Sequence, residues 1–135
     1  MHNAFPVKVV TPDGTALEVE GVEFLKLPSV TGEVGVLPSH SPSLVKLSPG
    51  EVQCRVNEED NSYFVAEGLA HLLPDKVLVL APFIDSASSI DVDRAKAAKK
   101  RAEDLLSSKY DSVDRDRARL ALIRAEARLR IALAS

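Results

Sequence analysis

The sequence predicts a β + α protein: an N-terminal antiparallel β-sandwich or flattened barrel over residues 1–87, then a C-terminal two-helix antiparallel hairpin over residues 88–135. Three observations predict it. All six glycines and all eight prolines lie before Phe83, and none follows it. The early part alternates apolar and polar residues at period two between turn residues, which is the pattern of half-buried strands. The late part is rich in Ala, Leu, Arg and Lys, which lose little side-chain freedom in a helix. The change falls at Ser88–Ala95, S-S-I-D-V-D-R-A.

Each strand has its own local reason. Phe5 to Val10 is an apolar run ended by Thr11-Pro12-Asp13-Gly14, with Pro set for the second turn position and Gly for positive φ. Thr15 to Glu20 alternates and completes a hairpin. Val22 to Leu27 and Glu33 to Leu37 alternate around Pro28 and Gly32, and Pro38 to Pro42 stops the second of them. Ser43 to Leu47, Glu51 to Val56, Ser62 to Leu69, His71 to Leu73 and Lys76 to Ala81 follow. Ser48-Pro49-Gly50, Asn57 to Asn61 and Pro74-Asp75-Lys76 supply turns between them. Short strands at such spacing build a sandwich or barrel and not a βαβ sheet.

Ser88 followed three residues later by Asp91 has the form of a capping box, which places a helix start at about Ser89. That helix runs to about Ser107, with Val92, Ala95, Ala98 or Lys99, Ala102 and Leu106 along one side. Ser107 to Ser112 breaks it, and Asp111 or Ser112 caps a second helix from Val113 to about Leu133. Ala118, Ala121, Leu122, Ala125, Leu129 and Ala132 form one narrow apolar stripe on it. Stripes of alanine let backbones approach closely but bury little area, so the hairpin is cheap to open.

Composition excludes several classes. A lone Cys54 rules out an intramolecular disulfide framework and fits a reducing compartment. No stretch reaches the roughly 20 apolar residues of a membrane span, and the start of the chain carries no signal or transit pattern, so the expectation is a soluble protein. His2, His40 and His71 stand far apart without metal-ligand spacing. Neither Glu33 with Glu51 nor Asp60 with Glu67 is set by sequence at a catalytic separation, and no Walker or Rossmann glycine pattern occurs. No metal site, catalytic residue or enzyme activity is therefore expected. Charge is uneven: residues 1–85 hold five Lys/Arg against twelve Asp/Glu, residues 86–135 twelve against eight. Arg117, Arg124 and Arg128 share a helix face, and such guanidinium forks suit phosphate or carboxylate. Spacing alone reads more readily as an Arg-solubilised surface. Nucleic acid is not an expected partner, because the rest of the chain is acidic and lacks interleaved aromatics.

Several runs look familiar together. Thr31 to Leu44, T-G-E-V-G-V-L-P-S-H-S-P-S-L, followed by Ser48 to Val52, S-P-G-E-V, resembles the G-E-L/I-G-x-L/Y-P-G-H-x-P-L…P-G motif of the epsilon subunit of F-type ATP synthases. Val65 to Leu69, V-A-E-G-L, with Pro74 to Ala81, P-D-K-V-L-V-L-A, is similar to that family's G-G-x-x-x-V-x-P-x-x-V-T-V-L-A segment. Ile90 to Ala95, I-D-V-D-R-A, matches its I/L-D-x-x-R-A motif. Three departures stand out. Ser39 replaces the Gly before His40, Glu67 replaces the first Gly of a Gly-Gly pair, and Asp85 stands where Glu is typical.

The resemblance implies an antiparallel sandwich of about ten strands, two packed sheets, followed by the helical hairpin. It implies a non-catalytic central-stalk subunit, peripheral to the cytoplasmic face of the membrane, that couples rotation to ATP synthesis and transport of protons. Its partners would be the gamma subunit, the ring of c subunits and, when the helices extend, the catalytic alpha and beta subunits. Extended helices would inhibit ATP hydrolysis. Glu33 would lie toward the c ring and His40 near gamma. No cofactor is required, but ATP is implied as a regulatory ligand at Asp85, Ile90, Asp91, Arg94, Ala95, Arg101, Arg124 and Arg128. The rival expectation is a free-standing nucleotide-sensing or adaptor module with no rotary partner.

Overall fold

The computed structural model describes residues 4–134, so His2 lies outside the described residues. Alternation along β1 (Phe5–Thr11) sends Phe5, Val7 and Val9 inward and Lys8 outward. The turn at Pro12 and Asp13 returns the chain as β2 (Gly14–Val22), antiparallel to β1. Then come β3 (Phe24–Ser29), β4 (Gly32–Val36), β5 (Ser43–Leu47), β6 (Gly50–Val56), β7 (Glu59–Val65), β8 (Gly68–Leu73), β9 (Lys76–Leu80) and β10 (Asp85–Ser86).

The strands run in the order β10-β7-β6-β3-β5-β8-β9-β1-β2, with β4 on β3. β3 and β5 share one paired position, Ser29 with Leu47, so the sheet folds there into two halves. Leu25, Leu27, Val52 and Cys54 of one half meet Val7, Val9, Ala70, Val77 and Val79 of the other in one core. Burial pushes the Cys54 thiol up to about 11, which makes it packing rather than a nucleophile.

Two strand expectations change. The sheet is mixed, because β1 lies parallel to β9, Val7 beside Val77 through Val10 beside Leu80. Period-two alternation dictates which face a residue takes, and says nothing about strand direction. The expected strand from Ser62 to Leu69 is broken into β7 and β8, which belong to opposite halves. Gly68 makes that corner at φ +142°, where a Cβ would stand 2.2 Å from the Leu80 carbonyl oxygen. Only glycine fits so close to a backbone.

After β10, Ala87–Ser89 forms a single 3₁₀ turn, and α1 spans Val92–Ser107. The helix begins later than expected because Asp91 is itself the N-cap. Its carboxylate accepts the Arg94 N–H at 3.0 Å, while the Ser89 hydroxyl donates back to Ser86 O. α2 spans Arg115–Ala134, and its first turn is capped by Asp114, which accepts the Arg117 N–H at 3.0 Å, instead of by Asp111 or Ser112. Arg115 reaches back to the end of α1, donating to Leu106 O and Ser108 O. The two helices are thereby pinned at their turn.

The α2 stripe also needs correcting. Ala118 and Ala125 are buried as expected, but Ala121 is exposed, and Ala127 and Ile131 are buried on a second edge. That edge meets Phe64 and Ala66 of the sandwich. α2 is therefore wedged between α1 and the sheet, which widens its buried arc beyond a single-partner stripe.

Candidate functional site

The seam between the two parts encloses a cleft of about 370 Å³. Each wall has a local cause. β10 is stitched to β7, Asp85 opposite Phe64, and this fixes the Asp85 carboxylate at the sheet edge. Capping by Asp91 sets the first turn of α1, so Ile90, Asp91, Arg94 and Ala95 face one space, and Arg101 follows two turns on. Arg128 closes the cleft from α2. Seven of the eight positions expected to meet ATP thus line one cavity: Asp85, Ile90, Asp91, Arg94, Ala95, Arg101 and Arg128. Arg124 lies outside that lining.

The electrostatics are unbalanced toward positive charge. Arg128 Nε is 3.9 Å from Asp85 Oδ2. Its guanidinium carbon lies 4.4 Å from the centre of the Phe64 ring and 5.5 Å from that of Phe83. Burial lowers the Arg128 pKa, Asp85 opposes this, and the like charges of Arg124 and Arg94 add to the lowering. A guanidinium stays protonated regardless, so the cluster holds repulsion that an anion relieves. Arg124 Nη2 is 3.9 Å from Glu67 Oε1, and its Nε is buried with no hydrogen-bond partner among the described residues. A buried donor without an acceptor is costly, and a phosphate or carboxylate oxygen would satisfy it. Only Oδ1 of Asp91 is used by its cap, leaving the second oxygen for a ligand donor.

The partner-contact expectations lie elsewhere. Glu33, exposed on β4, is 3.9 Å from Lys26 Nζ, which also holds Glu51 at 2.9 Å. Both ring nitrogens of His40 meet backbone carbonyls, Leu37 O at 2.9 Å and Lys76 O at 3.2 Å, and its ring stands edge-on to Phe5. Neither residue lines the cleft. Ser39 adopts φ 65°, in the left-handed region that favours glycine. Glu67 does not: among the described residues the non-glycine positions at positive φ are Ser39, Asn57 and Glu58.

Sequence reasoning missed Phe64, Phe83 and Glu67. The rings that stack on Arg128 come from β7 and from the loop before β10, and no spacing rule links them to α2. Glu67 was visible as a replaced glycine and as a carboxylate weighed with Asp60, but not as a partner of Arg124. Among the described residues no group of His, Cys, Asp or Glu is placed to hold a metal ion.

Comparison with known proteins decides the family. The β-sandwich domain of the ATP synthase Delta/Epsilon chain matches residues 4–87, and the long alpha-helix domain of the same chain matches residues 88–132. The chain belongs to the ATP synthase delta/epsilon family. The ATP synthase epsilon chain of Syntrophobacter fumaroxidans is 42% identical over 98% of both chains. That of Nitratidesulfovibrio vulgaris strain DP4 is 41% identical over 97% of both. That of Bacillus velezensis is 40% identical, over 93% of this chain and 95% of its own. The fold recurs in a chain of the Euglena gracilis mitochondrial ATP synthase, solved by cryo-EM with OSCP, F1 and c-ring. Its TM-score is 0.86 at 23% identity, over 98% of this chain and 83% of that one. A chain of the Tetrahymena thermophila central stalk and c-ring gives 0.57 at 14%, over 96% and 94%. Membership makes this chain an accessory subunit of an enzyme complex and not a catalyst in its own right.

Proposed function

We propose that the chain is a central-stalk subunit that holds gamma and the c-subunit ring and regulates ATP hydrolysis through its hairpin, with ATP as the regulatory ligand of the cleft. No described helix is long and apolar enough to cross a membrane. Association with the cytoplasmic face of the membrane is then peripheral, through the complex. The sandwich would meet its partners through the regions of Glu33 and His40, and a c-ring contact at the β3–β4 turn and a gamma contact beside β9 are the specific expectations.

One observation supports ATP above other readings. Seven of the eight residues that the resemblance implies as a set converge on one cavity, and the Arg124 Nε, one helical turn before Arg128, has no acceptor among the described residues. Arg94, Arg101 and Arg128 would take the phosphates as bidentate forks, Asp91 would accept from the adenine amino group, and buried Ala95 would leave room for the ring. ATP bridges both helices and the sheet edge, so it favours the docked hairpin by its difference in affinity for docked and extended forms. Extended, helices of 16 and 20 residues reach roughly 24 and 30 Å at 1.5 Å per residue, enough for the arm to approach the catalytic alpha and beta subunits. There it would inhibit hydrolysis.

Calorimetric titration of the chain with ATP tests the ligand. Arg94→Ala and Arg128→Ala should each weaken binding about tenfold or more, the scale of one lost charge-assisted contact. Unchanged affinity in both would remove the phosphate clamp. Co-purification with gamma tests the stalk assignment, and its failure would favour a free-standing nucleotide-sensing module.

A further inference from the structure

We infer that Glu67 is an internal counter-ion for Arg124 that competes with the phosphates of a bound nucleotide and sets the affinity of the cleft below what its arginines would otherwise give. The inference rests on the ATP reading above and adds the residue that tunes it. Gly68 makes the tight corner after β7, whereas Glu67 sits at an ordinary φ, so nothing in the backbone demands glycine there. What the side chain does is reach α2, where its Oε1 stands 3.9 Å from Arg124 Nη2.

That contact is loose and displaceable. It is longer than a charge-assisted hydrogen bond of about 2.7–2.9 Å, and the Glu67 side chain is 63% exposed. It leaves the buried Arg124 Nε without a hydrogen-bond partner among the described residues. A phosphate group, with three acceptor oxygens, can serve Nε and Nη2 together where Glu67 serves one edge. Arg124 lies one helical turn before Arg128 and its charge is felt there, so a carboxylate on Arg124 lowers the positive potential that the phosphates meet. The opposing effect is the contribution of the pair to holding α2 down, and it is the weaker one. Docking is carried by Phe64, Ala66, Ala127 and Ile131, all buried, while an exposed ion pair adds little.

The test is a calorimetric titration of ATP into the full chain and into Glu67→Gln, at low and at high salt. The variant should bind roughly three- to tenfold tighter at low salt, the effect of removing one unit charge several ångströms from the phosphates near a surface. The gain should shrink as salt screens the carboxylate. Glu67→Ala should move affinity in the same direction, which separates charge from side-chain bulk. Wild-type binding with no gain in either variant overturns the role of Glu67 and leaves the ATP reading standing. No binding by any of the three chains overturns both.

Discussion

The sandwich and the hairpin are both packed around buried apolar side chains, but of very different size. The sandwich buries Leu25, Leu27, Leu47 and a set of valines from both halves. The interior of the hairpin is Ala95, Ala102, Ala118 and Ala125, and its hold on the sheet is one small cluster around Ile131. Fully burying a leucine or valine contributes roughly 1.5–3 kcal/mol, an alanine methyl well under about 1. The lesson is that one chain carries two levels of stability: a body that keeps its shape, and an arm fastened by a few side chains at its edge. The proposed regulation by moving the arm requires that inequality.

The comparison breaks first where the body is tightest. Gly68→Ala places a Cβ 2.2 Å from Leu80 O at a φ of +142°. It should cost the sandwich about 3 kcal/mol or more, read as a lower urea midpoint for the whole chain. Next is the fastening of the arm. Ile131→Ala should remove about 2 kcal/mol of docking, leave the sandwich midpoint unchanged, and make α2 sensitive to limited proteolysis after its arginines. A fall in the sandwich midpoint instead would mean that the two parts unfold as one.

The smallest effect sharpens the body's own electrostatics. Burial pushes the Glu51 carboxyl up, but hydrogen bonds from Lys26 and Ser62, with the charges of Lys26 and Arg130, outweigh it and leave the pKa depressed. Lys26 is correspondingly raised, chiefly by its hydrogen bond with Glu51. The glutamate contribution is complete above the pH where an unfolded-chain glutamate titrates and is lost as pH falls through the depressed folded value. The lysine contribution is complete below the unfolded lysine value and is lost as pH rises through the raised folded one. Glu51→Gln should cost about 1 kcal/mol at neutral pH and flatten the acid side of the stability profile measured by urea denaturation.

How much of this was legible follows from where the information sits. Strands and turns were readable because alternation and Gly/Pro punctuation are local. Gly68 was readable as a turn residue, but the corner that splits β7 from β8 depends on Leu80, twelve residues on. The parallel β1–β9 pair is a property of topology, which no single strand encodes. In the helices, Asp91 and Asp114 capped where nearby Ser88, Asp111 and Ser112 competed on paper, since any of these side chains can cap and tertiary packing chooses. The cleft residues from Ile90 to Ala95 were visible through one motif. The packing of Arg128 against Phe64 and Phe83 was not, because it joins three separate segments.

Native-state hydrogen exchange, with and without ATP, addresses the inequality most directly. Amides of α1 and α2 should exchange through an opening several kcal/mol cheaper than that of β3, β6 and β9, and ATP should slow the helices while leaving those strands unchanged. Helices and strands exchanging together, with no response to ATP in either, would contradict the account.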